Sequence, residues 1–152
     1  MLMHGIYKGV CYSRLEMHQE TLECYDKVLE MNPENVGAWS NKGAALTYLG
    51  RYHDALECYD KALELDPKFW VAWYNKGDAL IDLERYPESL KYTNKALEID
   101  PNHAITWYNR GRALAKLGNC KEAIKSYDEA LKLDPECKPA LKAKEEIIKA
   151  KK

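Results

Sequence analysis

The sequence predicts an all-α protein built from repeated helical hairpins, and three observations carry that prediction. Pro33, Pro67, Pro101 and Pro135 recur at one constant interval, and so do Gly9, Gly43, Gly77 and Gly111, and Trp39, Trp73 and Trp107. Between these markers the apolar residues fall at i, i+3 and i+4, the spacing of one helical face. No segment alternates apolar and polar residues with the period of two that a half-buried strand shows. Self-similarity at this period means stacked supersecondary units rather than one closed core.

On that frame the chain, residues 1–152, is one domain of four repeats: Leu2–Asn35, Val36–Phe69, Trp70–His103 and Ala104–Cys137, followed by Lys138–Lys152. Each repeat reads as two helices, and the final segment as a ninth. In the first repeat, Gly5 and Gly9 stand inside a predicted helix, where each costs ~1 kcal/mol relative to Ala. That repeat also lacks the Trp, so fraying is expected there first. In the second, Val36, Trp39, Gly43, Leu46 and Leu49 share a face. Gly50 ends this helix, because Gly readily takes the left-handed conformation just past a helix end. Ala55, Tyr59 and Ala62 form the stripe of the next helix, which stops before Asp66-Pro67 because the residue before Pro avoids the α region. Pro87, in the third repeat, sits at a first helical turn, where Pro is tolerated. Small residues (Gly43, Gly77 and Gly111 facing Ala55, Ser89 and Ala123) permit close helix approach, and the three Trp are expected to be largely buried between them. Lys138–Lys152 is expected to cap the array, with Leu141 and Ile148 continuing the apolar stripe and its Lys and Glu residues in water.

Composition narrows the function. Of 152 residues, 46% are hydrophobic and 31% charged, an ordinary globular mix. No charge-free stretch approaches the ~20 residues of a membrane span. The N-terminus lacks the basic and apolar regions of a signal peptide. Five scattered cysteines without an export signal suit a reducing compartment, so a cytoplasmic location is expected. The net charge is −1, but Lys138–Lys152 carries +4 and the remainder −5. These features argue against a disulfide scaffold, a membrane protein and a nucleic-acid binder.

Catalytic chemistry finds no foothold either. His4, His18, His53 and His103 show no HExxH spacing, and no CxxC is present for zinc. Cys24 and Cys58 lie one repeat apart, which makes them equivalent packing positions rather than joint ligands. The glycines recur singly, not as a phosphate-binding loop. No Ser or Cys nucleophile is paired with a His base. The expectation is a non-enzyme with no cofactor and no metal.

The recurring Trp-x-Asn-Lys/Arg-Gly-x-Ala-Leu (Trp39–Leu46, Trp73–Leu80, Trp107–Leu114) and Ala-Leu-Glu/Lys-Leu/Ile-Asp-Pro motifs resemble the tetratricopeptide repeat family, in particular its consensus-like prokaryotic and archaeal members. Trp39, Gly43, Ala55, Tyr59, Ala62 and Pro67 match the family pattern. Lys42, Lys76 and Arg110 depart from it, standing where Leu is usual, and Thr93 replaces an aromatic. The resemblance implies a right-handed superhelical solenoid, an α-α superhelix closed by a C-terminal capping helix, whose first helices line a concave groove.

On those first helices a second stripe runs Gly37, Ser40, Asn41, Ala44, Tyr48, then Val71, Tyr74, Asn75, Asp78, Asp82, then Ile105, Tyr108, Asn109, Arg112, Lys116. The peptide-binding residues expected from it are Asn41, Tyr48, Tyr74, Asn75, Asp78, Tyr108, Asn109 and Arg112. Three Asn in register form a ladder of amides able to donate to and accept from a peptide backbone, although Asn also belongs to the repeat's ordinary pattern and bonds locally. The family's clamp for acidic C-terminal tails of chaperones is not expected. Its positions fall on Ile6, Val10, Asn41, Val71 and Asn75, or on Ser40, Ala44, Asn75, Ile105 and Asn109, which supply no cation to offset carboxylate desolvation. The expected function is a protein-interaction scaffold binding a peptide segment in its groove. The alternatives are a structural module that forms a homodimer through its weak first repeat, and a fragment of a larger protein.

Overall fold

An Asx-Pro turn, repeated four times, sets the geometry of the chain. The side chains of Asn32, Asp66, Asp100 and Asp134 accept from the backbone N–H two residues on, at 3.0–3.2 Å. This local bond competes with helix and fixes the bend. Trp39, Trp73 and Trp107 then reach back six residues, each donating its Nε1–H to the carbonyl of Pro33, Pro67 or Pro101 at 2.8 Å. Asx, Pro and Trp therefore recur together because they build one device. The indoles are half-buried rather than largely buried, since the ring edge has to reach the exposed turn.

The computed structural model describes residues 17–152. Its elements are α1 (His18–Met31), α2 (Val36–Tyr48), α3 (Tyr52–Leu65), α4 (Trp70–Asp82), α5 (Tyr86–Ile99), α6 (Ala104–Lys116), α7 (Cys120–Leu133) and α8 (Lys138–Ala150). All are α-helices, and the described residues contain no strand. The predicted first helix, with Gly5 and Gly9, lies outside the described residues. The chain forms two compact units, one ending at Ala79 and one running from Leu80 to Lys152.

Within the first unit, Tyr25, Val28 and Leu29 of α1 pack with Ala38 of α2, and Ala62 and Leu63 of α3 with Ala72 of α4. Tyr59 is 1% exposed and lies flat against α2: a Cβ on Gly43 would stand 2.5–3.0 Å from its ring carbons. The Tyr59 hydroxyl and Thr47 Oγ1 share a hydrogen bond at 3.0 Å. In the second unit the same arrangement recurs, with Tyr127 of α7 seated against Gly111 of α6 in a cluster that includes Leu114, Ala123, Ala130 and Ala140. Thr93 takes the Tyr position in α5 and returns its hydroxyl to the Ser89 carbonyl at 3.0 Å. Gly50 and Gly118 follow α2 and α6 at φ +74° and +80°, and Glu84 holds the equivalent place after α4 at φ +58°.

The cations that depart from the family pattern have a shared use. Lys42 Nζ lies 2.6 Å from Asp26, Lys76 pairs with Asp60, Arg110 Nε donates to Asn94 Oδ1 at 2.8 Å, and Lys144 Nζ lies 2.6 Å from Asp128. Each joins the first helix of one repeat to the second helix of the repeat before, 16 residues earlier. Lys76 is the most enclosed, its side chain 9% exposed.

In the capping helix Leu141 and Ile148 hold the expected stripe positions, one repeat after Trp107 and Leu114, but are not covered. Ala140, Ala143 and Ile147 of α8 pack against the α6–α7 core, whereas Leu141 and Ile148 are 46% and 41% exposed. Burial of Ala140 and Ile147 against that core sets the orientation, and the Lys144–Asp128 pair fits the same register as the other first helices.

Candidate functional site

The groove stripe runs along the first helices, and its positions range from buried Ser40 and Asn109 to exposed Tyr48. In the first unit, Tyr48 ends α2 and is 75% exposed, with its ring stacked on His18 at 4.7 Å and 2°. Tyr74 and Asp78 are one turn apart on α4, so they share a face, and both are half-buried. The Tyr74 phenol is pushed up to about 12, first by burial and then by the nearby Asp78 carboxylate and Tyr48. Tyr59 is raised by burial, against its bond to Thr47, and also senses Asp78 and Tyr48. Tyr48, Tyr74 and Asp78 are thus neighbours around one small surface.

The asparagines behave less uniformly. Asn41 shares a hydrogen bond with the buried Tyr25 hydroxyl. Asn75 Nδ2 donates to Ser40 Oγ at 3.4 Å. Asn109 is 2% exposed and accepts from Arg112 Nη1 at 3.4 Å. Each amide has a partner inside the fold, which is the local bonding open to any repeat Asn.

In the second unit the Arg112 guanidinium lies over the Tyr108 ring at 5.7 Å, within the range of a cation–π contact. Tyr108 in turn tilts against Tyr127, centroids 6.0 Å apart. Burial is the largest influence on Tyr127, whose phenol is pushed up to about 12. These side chains face a cavity of about 760 Å³, lined also by Tyr86, Glu146 and Ile147. Tyr86, Glu146 and Ile147 are additions to the predicted set. Glu146 was accessible to sequence reasoning, because it stands one full repeat after Arg112. Treating the last helix as a solvated cap hid that relation.

Asp and Glu side chains here lie on repeated helical faces, and among the described residues no group of three His, Cys, Asp or Glu comes together in a manner suited to a metal. No described helix is long and apolar enough to cross a membrane.

The curated proteins contain no match to this chain. Solved structures do resemble it. A crystal structure of MamA superposes with a TM-score of 0.84 at 22% identity, covering 94% of this chain and 84% of that one. A second crystal structure of MamA protein gives 0.84 at 21%, covering 99% and 82%. The MamA RS-1 ArsTM double mutant gives 0.79 at 20%, covering 99% and 94%. At these identities the likeness is one of fold, an all-α helical repeat. Family models described as tetratricopeptide repeat match residues 6–35 and 36–69, and another matches residues 71–136. With helical hairpins, Asx-Pro turns and Gly–Tyr contacts recurring in that register, the chain belongs to the tetratricopeptide repeat family, whose repeats generally serve as non-enzymatic scaffolds for protein–protein interaction.

Proposed function

We propose that the chain holds a segment of a partner protein along its first-helix stripe, with aromatic rings as the principal contacts. The observation that carries this reading is the cavity of about 760 Å³ in the second unit, where Tyr108 and Arg112 meet Tyr86, Glu146 and Ile147. Tyr residues are rigid, amphipathic and inexpensive to order, which suits them to contact. In the first unit, Tyr48 and Tyr74 beside Asp78 supply surface of the same kind. Asn41, Asn75 and Asn109 support this face through their bonds to Tyr25, Ser40 and Arg112, and contribute less to the partner than a free amide ladder would.

The test is to capture a partner with the chain as bait, map the bound segment by crosslinking, and titrate it against Tyr108→Ala and against the Asn75→Ala, Asn109→Ala double variant. Tyr108→Ala is expected to weaken binding at least tenfold, the loss of an aromatic anchor of about 1.4 kcal/mol or more. Crosslinks confined to the second helices, with unchanged affinity in Tyr108→Ala, would overturn the assignment.

A further inference from the structure

The outward face of α8 repeats, in sequence and in exposure, a seat that is filled elsewhere in the molecule. Counting one repeat length on from Trp107, Gly111 and Leu114 gives Leu141, Glu145 and Ile148. In the fourth repeat α7 covers that trio. Leu114 is buried, Trp107 packs into the same cluster, and Tyr127 closes on Gly111. On α8 the corresponding Leu141 and Ile148 remain 46% and 41% exposed, and they share one face with Glu145 at i, i+4 and i+7. That α8 is in the first-helix register follows from Lys144, which contacts Asp128 as Lys42 contacts Asp26.

Two features define what this seat accepts. Glu145 occupies the Gly position, so a helix bringing a Tyr ring to the same spot, as α3 and α7 do, would collide with its side chain. A basic residue there would meet the carboxylate instead. Lys138, Lys142 and Lys149, all exposed, line one edge of the strip, and they favour an acidic flank on whatever docks. A second copy's α8 is a poor occupant, because it brings the same excess of lysines.

We propose that Leu141, Glu145 and Ile148 form a docking seat for an amphipathic helix of another protein, one with an acidic flank and a basic residue where this chain's own second helices carry Tyr. Leu141, Glu145 and Ile148 lie on a different face of α8 from Glu146, which lines the first-helix cavity, whereas Lys138 and Lys142 also border Tyr108.

The probe is a helix-stapled peptide of residues 119–134 of this chain carrying Tyr127→Lys, Lys121→Glu, Lys125→Glu and Lys132→Glu, titrated into the full chain. A matched peptide retains Tyr127. The expected result is at least tenfold tighter binding of the Lys-bearing peptide, reversal of that preference by Glu145→Gly, loss of binding in Leu141→Asp, and weakening at higher ionic strength. Circular dichroism melts of both variants check that they fold. Equal affinity for the two peptides, binding of neither, or binding indifferent to Leu141→Asp would overturn the proposal. So would binding of phosphatidylserine vesicles, but neither peptide, lost in Leu141→Asp, which would make the face a membrane contact.

Discussion

A left-handed backbone costs an ordinary L-residue about 1–2 kcal/mol, and Glu84 adopts one at φ +58° where the equivalent positions hold Gly50 and Gly118. Glu84→Gly relieves that strain but frees the unfolded chain, which opposes it by about 0.4–1 kcal/mol. The net expectation is stabilisation of roughly 0.5 kcal/mol, read as a higher midpoint in urea with an unchanged slope. At Lys76 the balance is electrostatic. Its side chain is 9% exposed against 52% for Asp60. Removing one partner of a wholly buried pair costs ~3–5 kcal/mol. With Asp60 half in water, Asp60→Ala is expected to cost about 2 kcal/mol. Asp128→Ala, opposite the better-solvated Lys144, is expected to cost less than about 1 kcal/mol. Equal losses in the two variants would show that burial of the cation is not what sets the cost.

Helix α8 has two apolar faces with different stakes. Ile147 packs on the α6–α7 core, so Ile147→Ala is expected to destabilise by roughly 2 kcal/mol, less than a fully buried truncation. Leu141→Asp, on the exposed face, is expected to stay within about 0.5 kcal/mol of the parent, and paired denaturant curves measure both. The existence, order and ends of the described helices were legible in the sequence, because Gly50 and the Asx-Pro turns act within a few residues of their own backbone. Which apolar side chains of α8 are covered was not, since Leu141 and Ile148 fit an apolar stripe as well as Ala140 and Ile147 do. Ala140 and Ile147 meet the α6–α7 core, a contact that depends on tertiary packing. Likewise the stripe positions of Tyr48, Tyr74, Tyr108, Arg112 and Glu146 follow from helical spacing and the repeat length, whereas the burial of Asn109 and the inclusion of Ile147 in a cavity depend on tertiary packing. Asn ladders read from spacing alone cannot distinguish an amide aimed outward from one bonded to its own fold.

Across the whole chain, buried phenols tie stability to alkaline pH. Tyr74 and Tyr127 are pushed up to about 12 by burial, and Tyr59 is raised as well, while an unfolded tyrosine ionises near 10. Above that pH the unfolded chain binds fewer protons than the native one, so stability falls. This contribution is intact below pH ~10 and is lost progressively between about 10 and 12. Urea titrations at pH 8, 10 and 11.5, with phenolate absorbance as the second signal, are expected to show that decline, and Tyr127→Phe is expected to make it shallower.

The ladder of cations has a consequence for how such a chain can change length. Each pair joins residues 16 apart in sequence and straddles a repeat boundary. Excising any block of one repeat length therefore rejoins a donor to an acceptor at the same separation. Removal of 70–103, for example, sets Asp60 sixteen residues before Arg110 and turns an amide contact into an ion pair. Insertion of a duplicated block preserves the junctions in the same way, wherever the cut falls within a repeat. Gain and loss of whole repeats by unequal recombination thus leave no orphaned charge, so the array can lengthen or shorten without a compensating point mutation.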